Sequence, residues 1–215
     1  MSPDISRHRP AYTTLRVEER GVVLYEQHLA RLAEAGPTAS AAFRDFALQA
    51  TPGCYSIQST AQGLDIKPRP PSALFEGMPV RWLISPHAGT PAPFAKPAPP
   101  SAYDPVRAHG VATLLTSADG AEIYESCVAA VIAWDGARLL APPDDRPAVR
   151  STALAALRDA GLITFRPIAA HADEPLALVN ALAGICLPSI PGRAPFPAHV
   201  HDSIAAAIRA TARRP

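Results

Sequence analysis

Four places in the chain carry side chains that could do chemistry. Lys96 lies among apolar residues and prolines, a setting that favours the neutral amine needed to form a Schiff base. Glu125 and Ile123 fall on the same face of a predicted strand by alternation, so this carboxylate requires a cationic or protonated partner. Residues 150–152 (Arg-Ser-Thr) begin a predicted helix, whose free amides and hydroxyls can bind an anion, and Arg31 could reach a phosphate.

Each of these residues also has an ordinary structural interpretation. Lys96 fits a solvated linker lysine, and Glu125 fits an edge-strand glutamate in water. Ser151 fits a helix N-cap, and Arg31 fits the exposed face of a helix. The local sequence leaves both interpretations open. Lysine occurs at only two positions, 67 and 96, so any lysine chemistry has few candidates.

The composition excludes several classes of protein. Of the 215 residues 48% are hydrophobic and 18% are charged, and the net charge is +1, which excludes a disordered chain, a basic nucleic-acid-binding arm and an acidic tail. No apolar run reaches the roughly 18 residues that a membrane span needs, so we expect a soluble, cytoplasmic protein. Three scattered cysteines predict no disulfide framework, and His199 and His201 have no evident third ligand for a metal.

The proline distribution predicts two lobes. Seven prolines lie between residues 86 and 105, a density that breaks both helices and strands. We therefore predict a small α+β lobe over residues 1–88, a proline-rich interdomain segment carrying Lys96 over 89–105, and a larger α/β lobe over 106–215.

Hydrophobic periodicity predicts the elements of each lobe. For the small lobe it predicts strands over 12–18, 21–25, 54–60, 64–67 and 80–85 and helices over 26–35 and 38–50, the second capped by Thr38. For the larger lobe it predicts strands over 111–116, 122–126, 128–134, 138–140, 162–168 and 184–187 and helices over 151–160, 173–182 and 202–213.

The order and spacing of several motifs carry more information than any one of them. The motifs are Thr14-Leu-Arg-Val-Glu18, His28-Leu-Ala-Arg31-Leu32, Lys96 followed by Tyr103-Asp104 and Arg107, Gly120-Ala-Glu-Ile-Tyr-Glu125-Ser126, Arg150-Ser-Thr152 and Val179-Asn-Ala-Leu-Ala-Gly184. Together they resemble the class IV, fold type IV family of pyridoxal-phosphate-dependent aminotransferases and lyases. The resemblance covers the chain from about Tyr12 to Ile190, and the bacterial aminodeoxychorismate lyases look most similar.

This resemblance implies a two-lobe α/β fold like that of the D-amino-acid aminotransferases, with an α+β small lobe. It also implies a homodimer, pyridoxal 5'-phosphate as cofactor and a small amino-acid-like substrate. The composition and the lack of a long apolar run predict no nucleic-acid or membrane partner. By resemblance Lys96 is the Schiff-base and catalytic lysine, and Tyr103 hydrogen-bonds the cofactor ring or its Schiff base. Glu125 pairs with the pyridine nitrogen, and the phosphate is held by three residues: Arg31, Ser151 and Thr152.

The implied reaction has one leading form and two alternatives. The leading form is the 4-amino-4-deoxychorismate lyase reaction of folate biosynthesis, an elimination of pyruvate that leaves 4-aminobenzoate. The alternatives are an amino-acid aminotransferase of the branched-chain or D-amino-acid type, and a non-catalytic protein that retains the fold. Several polar residues of the family pattern are replaced here, by Ala95, the Pro97–Pro100 segment, Ala130, Ala181 and Ala183.

Overall fold

An antiparallel sheet covered by two helices forms the N-terminal part of the chain in the computed structural model, which describes residues 11–88, 103 and 109–215. The strand order is β2-β1-β3-β4. The elements are β1 (Tyr12–Glu18), β2 (Gly21–Val22), α1 (Tyr25–Ala33), α2 (Pro37–Gln49), β3 (Gly53–Thr60) and β4 (Gly63–Arg69).

Alternation along β1 divides this sheet into a core face and a half-exposed face. Leu15 and Val17 are buried with Leu32 of α1 and Phe43 of α2, because burying apolar side chains against the helices removes them from water. The alternate positions Tyr12, Thr14 and Arg16 are only half-buried, on the opposite face. That polar face is turned away from the helical layer.

The remaining strands build two mixed sheets. One has the order β11-β7-β6-β5, and the other has the order β10-β9-β8-β12-β13. Pairing is parallel between β5 and β6 and between β9 and β10, and antiparallel elsewhere. The elements are β5 (Val80–Ile84), β6 (Ala112–Thr116), β7 (Glu122–Ser126), β8 (Ala130–Trp134), β9 (Leu139–Ala141), α3 (Thr152–Asp159), β10 (Ile163–Phe165), β11 (Ile168–Ala169), β12 (Leu176–Asn180), β13 (Gly184–Cys186) and α4 (Ala198–Ala210).

Two apolar layers hold the larger lobe together. Ile132 and Val179 of the five-stranded sheet pack with Leu157 of α3 and Ile204 of α4. On the other side of the same sheet, Val131 and Leu178 pack with Leu114 and Ile123 of the four-stranded sheet. The order of layers is therefore helices, sheet, sheet. Within the described ranges, no helix is long and apolar enough to cross a membrane.

One strand of the predicted small lobe pairs with a strand of the larger lobe. β5 lies before residue 88, yet all five of its residues pair in register with β6. The division at residues 89–105 stays a prediction, because that stretch lies outside the described residues apart from Tyr103.

Several element predictions are wrong in detail. Residues 176–180 form strand β12 instead of part of a helix over 173–182, since a short run buried on both faces has the same pattern in either structure. The predicted strand over 162–168 is two strands in different sheets, separated at Pro167, which lacks a backbone donor. Gly36 occupies the N-cap of α2, with Pro37 in the first turn, so Thr38 is not the cap.

The end of the chain returns to the small lobe. Val22 and Arg213 exchange backbone hydrogen bonds of 3.0 and 3.2 Å, and the Leu24 amide donates to Thr211 Oγ1 at 2.8 Å. Gly21 lies against this contact with φ 117°, and a Cβ there would overlap the Arg213 backbone. Residues after α4 thus tie the larger lobe to the edge of the small sheet.

Substituting Gly21 tests this tie. Gly21→Ala combines an unfavourable positive φ with a steric overlap, whereas Gly36→Ala has the same φ of 117° but open space around the Cβ. We expect Gly21→Ala to lower the free energy of unfolding by about 1–3 kcal/mol more than Gly36→Ala, the usual cost of overpacking. Urea denaturation of both variants measures the difference. Equal losses would show that the contact with Arg213 does not form in solution.

Candidate active site

A cavity of about 670 Å³ opens between the two lobes, and every described residue of the predicted site lines it. An adjoining cavity of about 900 Å³ shares the wall formed by Arg31, Glu125 and residues 149–152. Lys96 lies outside the described residues, so its position in the site stays a prediction. The predicted residues brought together on the cavity wall are Arg31, Tyr103, Glu125, Ser151 and Thr152.

A break in strand alternation turns Glu125 toward the cavity. Along β6 and β7 the register places Leu115 opposite Glu125 and Thr116 opposite Ile123, so Tyr124 is the extra residue of a β-bulge. Ile123 packs in the core between the sheets, whereas Glu125 lines the cavity. The prediction that these two side chains share a face is therefore wrong, because the bulge reverses the alternation between them.

Glu125 is a buried carboxylate with a donor on each oxygen. Its side chain is 6% exposed; the Tyr103 hydroxyl donates to Oε1 at 2.7 Å and the Val149 amide donates to Oε2 at 3.2 Å. Burying an ionised group is costly unless it is hydrogen-bonded, and these two donors offset that cost. The interpretation of Glu125 as a solvated edge-strand residue does not hold.

Tyr103 is itself buried, at 3% exposure, and the His87 ring packs edge-on against it with centroids 5.2 Å apart. Burial and the nearby charge of Glu125 raise the pKa of Tyr103 well above its usual value. Tyr103 therefore keeps its proton and uses it to donate a hydrogen bond. In the structure this hydroxyl donates to Glu125, and the contact with a cofactor that the resemblance implies stays a prediction.

Arg31 projects from the last turn of α1 toward the start of α3. A buried hydrogen bond of 2.8 Å between Thr13 Oγ1 and His28 Nδ1 fixes α1 to the sheet one turn earlier. The Arg31 guanidinium donates to the Arg150 carbonyl. Burial lowers the pKa of Arg31 to about 10; the charge of Glu34 opposes this shift and that of Arg150 adds to it. The side chain still carries a full charge at neutral pH.

The N-terminus of α3 completes a cationic end of the cavity. Ser151 is the N-cap, and its Oγ accepts from the Leu154 amide at 3.2 Å, so the ordinary capping interpretation is correct. Thr152, the first helical residue, is buried against the cavity. The Arg150 guanidinium pairs with Glu34 at 2.7 Å. Free helix amides beside the Arg31 guanidinium are suited to a multiply charged anion.

Other lining residues could be recognised only from the register of the strands. In the small lobe Thr14 lies opposite Ser56, and together with Tyr12 and Arg69 they give the cavity a polar wall. The opposite wall is mostly apolar, and it contains Val128, Ala129, Ala130, Val179, Ala181 and Leu182. The sequence motifs cover only part of each wall: Thr14 lies in the 14–18 motif, and Val179, Ala181 and Leu182 lie in the 179–184 motif. The other residues belong to no motif, because the walls are assembled from separate strands.

Asn180 braces the late turn that the sequence motif singled out. Its Oδ1 accepts from the amides of Leu182 at 2.9 Å and Ala183 at 2.7 Å, and its Nδ2 donates to the Val128 carbonyl at 3.1 Å. The Arg16 guanidinium donates to the Leu182 carbonyl at 3.0 Å. The turn is thereby fixed to both lobes at the edge of the cavity.

A metal centre finds no support in the part of the chain that the structure describes. No group of three or more histidine, cysteine, aspartate or glutamate side chains is arranged there to hold a metal ion.

Solved structures with the same architecture include a transaminase and a lyase. A fold IV-transaminase from Curtobacterium pusillum aligns over 96% of this chain and 86% of its own, with 17% identity and a TM-score of 0.62. The 4-amino-4-deoxychorismate lyase from Pseudomonas aeruginosa aligns over 91% and 88%, with 18% identity and a TM-score of 0.62.

A hypothetical aminotransferase from Mycobacterium tuberculosis, in a PLP-bound form, aligns over 96% and 89%, with 16% identity and a TM-score of 0.59. No protein-family profile and no curated protein sequence matches the chain. The predicted two-lobe α/β fold is confirmed, and it is the fold of the fold IV transaminase.

The cationic end of the cavity predicts anion binding that depends on Arg31. We expect inorganic phosphate to raise the melting temperature of the protein above its value in chloride of equal ionic strength. Arg31→Gln should weaken the affinity for phosphate about 10-fold or more, because hydrogen bonds to charged groups contribute about 1.5–3 kcal/mol.

Arg44→Gln provides the matched control, since Arg44 is exposed on α2 and does not line the cavity. Thermal-shift titrations with phosphate measure the affinity of both variants for this anion. An unchanged phosphate affinity in Arg31→Gln would contradict the assignment of this end of the cavity.

Proposed function

We propose that this protein is a pyridoxal-phosphate-dependent enzyme of fold type IV that acts on a small amino-acid-like substrate. One observation carries the proposal: a buried carboxylate and a cationic helix N-terminus face the same cavity between the lobes. The likeness to a PLP-bound aminotransferase of the same fold supports it.

The side chains that line the cavity fit this cofactor chemically. Pyridoxal phosphate carries a pyridine nitrogen that needs a carboxylate to stay protonated, and a phosphate that needs a cationic cradle. Glu125 would hold the ring nitrogen, and Arg31, Ser151 and Thr152 would hold the phosphate. When bound, the cofactor supplies an electron sink for a carbanion at the substrate carbon that loses a proton.

The protein's own residues would then perform three tasks. Lys96 would link the cofactor through its amine and, once displaced by substrate, move a proton at the substrate carbon through its Nζ. Glu125 would keep a proton at the ring nitrogen, since its ionised form is stabilised by two donors. The charge of Arg31 would orient the phosphate.

The second lysine of the chain is poorly suited to the nucleophilic role. Lys67 Nζ pairs with Asp65 at 2.7 Å on the exposed surface of β4. The hydrogen bond to Asp65 and its charge raise the pKa of Lys67 and so favour the cationic form, which is not a nucleophile. This observation favours Lys96 by comparison.

Chemical labelling tests the lysine assignment. After incubation with pyridoxal phosphate, we expect a visible absorption band that borohydride removes, with the reduced label on the peptide that contains Lys96. Lys96→Ala should lose the band, whereas Lys67→Ala, as the control, should retain it. Label on the Lys67 peptide, or no band at all, would contradict the proposal and favour a non-catalytic protein that retains the fold.

Two reactions remain candidates, each favoured by a different observation. The lyase reaction, with release of pyruvate to leave 4-aminobenzoate, is favoured by the Tyr103-Asp104 and Arg107 pattern after Lys96. Amino transfer is favoured by the apolar wall around Ala130 and Ala181, which suits an amino acid with an apolar side chain. As a further part of the proposal, the active protein is a homodimer.

Product analysis separates the two reactions. Under the lyase hypothesis, aminodeoxychorismate gives equal amounts of pyruvate and 4-aminobenzoate, with no need for an added keto acid. Under the aminotransferase hypothesis, an apolar amino acid gives its keto acid only when an amino acceptor is present. Lys96→Ala should abolish either product, so any product that persists at full rate in this variant would exclude both hypotheses.

A further inference from the structure

Tyr103 and Glu125 form a buried pair that is fixed from several directions. The Tyr103 side chain packs with Leu115, Cys127 and Val149, and the His87 ring lies against it at an interplanar angle of 65°. With the ring held in this way, the hydroxyl cannot turn far from Glu125 Oε1, which it reaches at 2.7 Å. The orientation of the carboxylate therefore depends on a side chain from another segment of the chain.

The hydroxyl of a tyrosine has a single proton to donate. At Tyr103 this proton goes to Glu125, so the same hydroxyl cannot simultaneously donate to an oxygen of a bound cofactor. Glu125, by contrast, lines the cavity, and a carboxylate oxygen can accept more than one hydrogen bond. Both oxygens of the pair can accept a hydrogen bond, but the charged carboxylate binds a cationic donor from a ligand more strongly than the neutral phenol does.

Resting on the function proposed above, we propose that Tyr103 is a positioning residue that acts through Glu125. Its hydroxyl and the Val149 amide hold the carboxylate ionised and oriented toward the cavity, so that the proton shared with the pyridine nitrogen stays on the nitrogen. Hydrogen bonds to an ionised carboxylate favour that form, which is the physical basis of the effect.

The role of Tyr103 differs from direct cofactor contact in a measurable way. If Tyr103 acts only through Glu125, removing its hydroxyl matters only while residue 125 is a carboxylate. If Tyr103 touches the cofactor, removing the hydroxyl costs affinity whatever residue 125 is. A double-mutant cycle distinguishes these cases, because its interaction energy isolates the coupling of the two side chains.

The cycle uses Tyr103→Phe, Glu125→Gln and the double variant, with pyridoxal phosphate as the titrated ligand. We expect Tyr103→Phe to weaken cofactor affinity about 10-fold in the wild-type background, the loss of one hydrogen bond to a charged group. In the Glu125→Gln background we expect less than about a 2-fold further loss. Equal losses in both backgrounds, or no loss in either, would overturn the proposal.

A spectroscopic readout separates positioning from a general loss of structure. With pyridoxal phosphate labelled by ¹⁵N at the ring nitrogen, we expect Tyr103→Phe to move the ¹⁵N resonance toward that of neutral pyridine, because the carboxylate then competes better for the proton. Tyr55→Phe is the control, since the Tyr55 hydroxyl is bonded to Thr51 at the surface of the small lobe. An unmoved resonance in Tyr103→Phe would overturn the proposal.

The same four proteins without cofactor show which hypothesis has failed. Without cofactor, the shift in the urea midpoint of the double variant should differ from the sum of the shifts of the two single variants. This difference reports the Tyr103–Glu125 hydrogen bond by itself. Absence of cofactor binding by the wild type would overturn the proposed function and the positioning role together, even if this coupling is present. Additive midpoints would instead overturn the hydrogen bond and leave the proposed function standing.

Discussion

The assembly of the site depends on hydrogen bonds to one buried carboxylate. Glu125 lies on a strand inside the protein, where an ionised carboxylate is costly unless each oxygen finds a donor. Two of its donors come from Tyr103 and Val149, which are distant in sequence from each other and from the strand. The site therefore forms only when the four-stranded sheet, the segment before α3 and the Tyr103 side chain are assembled together.

The same assembly joins the two lobes around the cavity. The Arg31 guanidinium of α1 donates to the carbonyl of Arg150, just before α3, and Glu34, the C-cap of α1, pairs with the guanidinium of Arg150. At the far side, Arg213 is hydrogen-bonded to the edge of the small sheet. Under the proposed function, an anion bound at the start of α3 would also contact the small lobe, because α1 supplies Arg31 to the same end of the cavity.

Regular elements with a clear repeat could be predicted from the sequence, and those without one could not. The strand over 12–18 has the predicted bounds, since its alternation of apolar and polar residues has one solution when a single face is buried. Residues 176–180 are buried on both faces, so their pattern fits a helix as well as a strand, and only the pairing with β8 decides. Ser56 and Arg69 of the polar wall could not be predicted, because they reach the cavity through the register of the small sheet.

The sequence by itself determined which residue types stand at the motif positions, and the order of these motifs predicted the fold. In the structure five of these residues line one cavity: Arg31, Tyr103, Glu125, Ser151 and Thr152. The tertiary structure alone decided how they face one another. A bulge at Tyr124, set by pairing with β6, turns Glu125 away from Ile123 and toward Tyr103. The reason is physical: local sequence specifies the period of a strand, but the direction of a side chain beyond a bulge depends on the neighbouring strand.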